Sequence, residues 1–219
     1  MSNDSKKENK GPEDLISKLS GDLEPCEPLK HPLKRMAPWV IIASLYVALV
    51  AFFGIGVRPD IWDMLIHNHR FQLDIGLATM IYLSSGFVLG WVNLPDMRQQ
   101  PWVVAIPVVF LVLFIGNILF RLFTENLANP NYDMICFPHS VYLTVIPLGY
   151  LIFLIRKGCP ACHKKSALFA TMAISAIGWI GLRFTSPIDH MVHIFFVQFL
   201  PFIALGILLG ILSAKLFRW

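Results

Sequence analysis

Residues Cys159 to His163 read CPACH: two cysteines with two residues between them and a histidine directly after. That spacing attaches c-type haem, makes half of a zinc site, or works as a redox dithiol. A second set of ligating types lies elsewhere. Cys136 and His139 are three apart, as are His190 and His193, and residues so spaced share a helix face. A thiolate and three imidazoles suit zinc or another heavy-metal ion, so Cys136, His139, His190 and His193 are a candidate metal site. No nucleophile–base pair stands out, and an enzyme is not expected.

What each set can do depends on the elements that carry it. The chain has 219 residues, 56% hydrophobic, where soluble domains run at about 45–50%. The excess falls in six runs: Pro38–Val57, Phe71–Leu94, Trp102–Phe123, Cys136–Ile155, Ser166–Phe184 and Ile194–Ala214. Each is long enough to cross a hydrocarbon core of about 30 Å as a helix. Proline and glycine recur inside them, which membrane helices tolerate better than soluble ones. The expected fold is all-α: an integral membrane bundle of six transmembrane helices at 37–219, behind a polar N-terminal tail at 1–36. The tail holds seven basic and seven acidic residues, too acidic for a signal-peptide n-region, so the first helix is expected to be an uncleaved anchor.

Charge gives sidedness. With the N-terminus in the cytoplasm, 14 of the 18 Lys and Arg face inward, and only Arg58, Arg70, Arg121 and Arg183 face out. Inner loops carry the basic excess, so both termini and CPACH are expected in the cytoplasm of a bacterium, with the chain a multi-pass protein of its inner membrane. The net charge of +4 tracks topology and calls for no nucleic acid. Covalent haem attachment takes place outside the cytoplasm, which argues against haem at CPACH. A turn broken by Gly158 and Pro160 is the simplest reading. A reactive dithiol, or a zinc site of Cys159, Cys162 and His163 completed by Cys26 or His31, stays open.

The middles of all six runs lack Asp, Glu, Lys, Arg and His. Pumps and transporters place such groups deep, and a b-type haem needs facing histidines, so neither is supported. Asp74, Arg121 and Arg183 fall near the outer ends, where they are expected to snorkel to the interface, with a loose Asp74–Arg pair.

The tail contains GPEDLISKLSGDLEP. Pro12 and the acidic Glu13 and Asp14 suit a helix start, and Leu15, Ile16, Leu19 and Leu23 recur near helical spacing. Alone, such a helix is too short to hold in water. It needs a groove, and its polar face has few basic residues, which favours a protein over the bilayer.

From Asp14 to Trp219 the chain resembles the NrsF-type membrane anti-sigma factors. The resemblance is carried by DLISKLSGDLEPCEPLKHPLKRMAPW, the RPD at Arg58–Asp60, a cysteine opening the fourth run, a proline in the sixth and the terminal RW. It implies six membrane helices and a cytoplasmic N-terminal segment. That segment binds an extracytoplasmic-function sigma factor, and an outside stress of metal or redox type releases it. Leu15, Ile16, Leu19 and Leu23 are then the partner-binding residues and Cys136 the sensing residue. The family's second outer cysteine falls here on Ser186, and its sixth-helix histidine on Gln198, so a disulfide or two-thiolate site is not expected. The rival reading is a small membrane metal- or solute-handling protein that uses the outer Cys/His set.

Overall fold

A computed structural model describes residues 31–92, 101–124, 136–157 and 163–216. Contacts divide the chain after Lys30. The first unit, with the amphipathic tail segment, lies outside the described residues.

The described chain is helical. Six helices are long and apolar enough to span a membrane. They are α1 (Pro32–Ile55), α3 (His69–Val92), α4 (Pro101–Thr124), α5 (Cys136–Lys157), α6 (His163–Thr185) and α7 (Met191–Leu216). A short α2 (Ile61–His67) lies in the loop after α1. It was not expected, because its seven residues carry too few repeats to show a period.

α1 begins at Pro32 rather than Pro38. His31 caps it, its Nδ1 accepting from the Leu33 N–H at 3.4 Å, and Pro32 takes the first helical position, where its missing N–H costs nothing. The basic residues Lys34 and Arg35 are thereby carried into the helix. At its far end α1 widens into a π-helical turn over Val50–Ile55, and Gly56 stops it with φ 96°. That left-handed conformation favours glycine.

α6 is the centre of the bundle. It packs against α1, α3, α5 and α7, and 72% of its apolar window is buried, against 17% for α4. Lipid tails are as apolar as leucine, so helices gain little by merely hiding from them; close packing of small residues takes over. α6 supplies buried Ala167, Ala170, Ala173 and Ala176. It also supplies Gly181, where an added Cβ would come within 2.9 Å of Val47 on α1 and 3.0 Å of Leu143 on α5. Buried side-chain donors add cross-links to backbone carbonyls. Trp39 Nε1 donates to Pro147 O at 3.0 Å and the Tyr82 hydroxyl to Val40 O at 2.6 Å.

Two further links order the ends. Arg35 Nη2 donates to Leu154 O at 2.6 Å and Arg156 Nε to Leu216 O at 2.8 Å. The start of α1 and the ends of α5 and α7 therefore share one end of the bundle, the termini end. At the opposite end the Arg58 N–H donates to Phe184 O at 3.0 Å, which fastens the loop after α1 to the end of α6.

Candidate functional site

The opposite end holds the chemistry. Arg58 follows the Gly56 turn, and its pinned backbone turns the guanidinium inward, leaving the residue 3% exposed. It grips Asp60 through Nε and Nη2 at 2.7 and 2.8 Å, and Asp189 through Nη1 and Nη2 at 3.1 and 2.7 Å. Asp189, in the loop between α6 and α7, is shared. Its Oδ1 also lies 2.9 Å from Arg183 Nη1. One turn into the bundle, Asp74 on α3 accepts from Arg121 Nη1 and Asn117 Nδ2 on α4, both at 2.6 Å.

Three guanidiniums and three carboxylates thus meet at one end of the bundle. A charge buried in a membrane protein is costly unless paired and hydrogen-bonded, and each carboxylate here is gripped in that way. Aromatic faces complete the enclosure. Arg58 and Arg183 lie over the Phe71 ring at 5.8 and 5.0 Å, and Arg183 lies 5.6 Å from Trp179, within cation–π range. The two carboxylates outside the spans titrate low. The Arg58 hydrogen bond holds Asp60 below the usual carboxylate range. Burial pushes Asp189 up, but the Arg58 hydrogen bond and the Arg183 charge together bring it below as well. Arg58 is raised in turn, chiefly by its hydrogen bond to Asp60.

Beside these pairs is a cavity of about 190 Å³, lined by Asn68, Arg70, Phe71, Arg121, Arg183 and Asp189 among others. Asn68 shapes its rim by capping α3: its Oδ1 accepts from the N–H groups of Arg70 and Phe71, each at 3.1 Å.

The interfacial reading of Asp74, Arg121 and Arg183 is overturned. They are 0%, 8% and 1% exposed, with their heads turned into the bundle rather than out of it. The expected Asp74–Arg pair exists, with Arg121 as the partner. Sequence reasoning gave Arg58, Asp60, Asn117 and Asp189 no part in a buried network. The available signal was that Arg58, Arg121 and Arg183 and the aspartates Asp60, Asp74 and Asp189 all fall at one set of span ends.

The sequence-predicted residues are placed as follows. Leu15, Ile16, Leu19, Leu23, Cys26, Cys159 and Cys162 lie outside the described residues. Cys136 opens α5, but its side chain lies outside them too. His139 and His190 are half-buried, His193 is fully buried, and His163 opens α6 half-buried. Among the described residues no three of His, Cys, Asp and Glu come together in a metal-binding group. His31, offered as a zinc ligand, serves as the α1 cap and meets Trp91 edge-on at 5.4 Å. Ser186 is buried at the end of α6, its Oγ accepting from the Ile188 N–H at 3.4 Å. Gln198 is fully buried in a second π-helical stretch, Ile194–Phe199.

No curated protein and no solved structure matches the chain. The sequence pattern of the family described as NrsF, negative regulator of sigma F, matches residues 19–219. That match spans all six membrane-length helices, the charged end and the second half of the tail, with Leu19 and Leu23 inside it and Leu15 and Ile16 before it. On that coverage, the chain belongs to the NrsF family of negative regulators of a sigma factor.

Proposed function

We propose that this protein is a membrane-anchored anti-sigma factor of a bacterial inner membrane. Its N-terminal tail captures an extracytoplasmic-function sigma factor, and envelope stress of metal or redox type releases it. The observation that carries the reading is the family match over residues 19–219. The layout supports it. Sigma factors act in the cytoplasm, and the charge split puts the termini end there. The segment leading into α1 is far longer than the connections 93–100 and 158–162, which favours it over them as the part that meets a soluble partner.

Leu15, Ile16, Leu19 and Leu23 are the proposed contact residues. Each apolar side chain buried against a partner contributes about 1.5–3 kcal/mol, less the cost of ordering the segment. Replacing Leu15 and Leu19 together with Asp is expected to weaken capture at least tenfold for every ~1.4 kcal/mol lost. Sigma-dependent transcription then rises without stress, while the protein stays in the membrane at its normal level. Unchanged repression in that double variant, with no binding of the sigma factor to membranes carrying the wild-type chain, removes the proposal.

Cys136 is the proposed sensing residue, because its thiol chemistry suits a metal or redox signal and α5 starts at the charged end, opposite the start of α1. Cys136→Ser is expected to blunt induction by stress and leave unstressed repression intact. Loss of repression in Cys136→Ser would instead give the residue a structural role.

A further inference from the structure

The short helix α2 has three sides. Ile61 is buried against the bundle. Trp62 and Ile66, four apart and so on one edge, are 71% and 62% exposed. Asp63 and His67, also four apart, form a second edge, with Asp63 Oδ1 3.0 Å from His67 Nδ1 and both side chains in the open. Trp62 and Asp63 are neighbours in sequence, about 100° apart around the helix. A large apolar edge beside a polar one is what a helix lying at a boundary between hydrocarbon and water presents.

Hydrogen bonds at both ends of α2 fix the depth at which it lies. At its start, Asp60 gives its carboxylate to Arg58 and not to the first N–H groups of the helix. The Ile61 N–H donates to Arg58 O at 3.3 Å, and Arg58 is itself fastened to Phe184 O at the end of α6. At the other end, Gln72 in the first turn of α3 donates through Nε2 to Leu65 O and Ile66 O at 2.8 and 3.0 Å, two of the carbonyls that a helix leaves without internal partners. α2 is thus tied to the end of one membrane-length helix and the start of another. Such ends lie where hydrocarbon gives way to headgroups. The last turn of α1 carries exposed Phe52 and Phe53, so the lipid-facing apolar surface of the spans runs up to the same level.

We propose that α2 is an interfacial helix: it lies in the headgroup zone of the bilayer at the charged end of the bundle, with Trp62 and Ile66 in lipid and Asp63 and His67 in water. Tryptophan favours that zone, where its ring has apolar surroundings and its N–H stays wet. α2 carries no Lys or Arg, so its partner is the uncharged apolar margin of the bilayer and not anionic headgroups. A soluble protein fits the edge less well, because the ties to Arg58 and Gln72 hold it at the level of the span ends. Asp60 belongs both to the start of α2 and to the grip on Arg58, so the anchor also sets the height of the arginine cluster in the membrane.

The test uses the full-length protein in phosphatidylcholine nanodiscs whose acyl chains are unmodified, brominated near the headgroup, or brominated near the chain end. Tryptophan emission is recorded for the wild type and for Trp62→Phe, and the difference is the emission of Trp62. Shallow bromines are expected to quench that difference most, deep bromines less and iodide in the buffer least. Ile66→Asp, taken with and without Trp62→Phe, is expected to reverse the order: Trp62 emission moves to longer wavelength, and iodide becomes the stronger quencher. Should Ile66→Asp fail to fold, Ile66→Ser carries the same test with a smaller change of the same sign. Adding phosphatidylglycerol is expected to change nothing, and stronger bromine quenching on its addition would overturn the choice of partner. Iodide quenching above shallow-bromine quenching in the wild type overturns the proposal and gives the edge to a soluble partner. Deep bromines as effective as shallow ones overturn it too, since α2 then lies within the hydrocarbon. So does unchanged quenching in the Ile66 variants, because the apolar edge is then not what holds the helix.

Discussion

The two ends of the bundle use arginine differently. At the termini end, Arg35 and Arg156 donate to Leu154 O and Leu216 O. Both carbonyls lie in last turns, where a helix leaves its C=O groups without internal partners and carries partial negative charge. Arg156 is exposed, and water can replace its contact. At the charged end, Arg58 and Arg183 are buried and bound to carboxylates that two other elements supply. The guanidiniums there are shut away from water, and only the Asp60 and Asp189 carboxylates reach it. The residue type is the same, but one end is tied by capping and the other by a closed ionic network.

That contrast predicts unequal responses to substitution. Asp74→Ala removes a fully buried carboxylate and leaves the Arg121 and Asn117 donors facing each other. Breaking a buried pair on one side costs about 3–5 kcal/mol, which equilibrium unfolding in mixed micelles reads directly. The sharper version is a cycle with Arg121→Leu and the double variant Asp74→Leu/Arg121→Leu. Removing both charges is expected to recover most of the loss, because a well-packed apolar pair is often as stable as a buried ion pair. A double variant as damaged as either single one would show that Asp74 and Arg121 do not act as a pair.

Acid gives an intermediate effect at the charged end alone. Asp60 and Asp189 titrate below their ordinary value when folded, so they contribute stability above the unfolded aspartate pKa of about 3.9 and lose it as pH falls through their lower folded values. Thermal unfolding in micelles is therefore expected to be flat from neutral pH to about 5 and to drop below about 4. Asp189→Asn should reduce the drop. A drop already complete by pH 5 contradicts the depressed values.

Arg156→Gln at the termini end should do least. An exposed charge on a carbonyl contributes in the range of about 0–1 kcal/mol, and glutamine can still donate. Unfolding shifts as large as those of Asp74→Ala would abolish the distinction between the two ends.

The spans were legible in the sequence because hydropathy over about 20 residues is a strong signal and does not depend on partners. Their ends were less so: Pro32 starts α1 six residues before Pro38, through a histidine cap and two basic residues that a hydropathy window rejects. The charged end was half legible. Arg58, Arg70, Arg121 and Arg183 were placed on one side by counting, and an Asp74–Arg pair was foreseen. Burial was not, since an arginine near a span end reads alike whether it snorkels out or turns in. Only the neighbours decide, and Asp189 is 131 positions from Arg58. The central place of α6 was hidden for a related reason: its alanines and glycines mark close packing only once the facing helices are known.

The double grip of Arg58 bears on the order in which the protein is made. Chains emerge N-terminus first, and Arg58 leaves the ribosome with Asp60 two residues behind it, long before Asp189. The near partner can neutralise the guanidinium at once, while the first helix stands alone in the bilayer. The far partner arrives only when the fifth span has been inserted and the loop beyond it has come out. Asp60 thus chaperones the charge through biosynthesis, and Asp189 locks it at the end. The last lock to close ties the first loop of the bundle to its last.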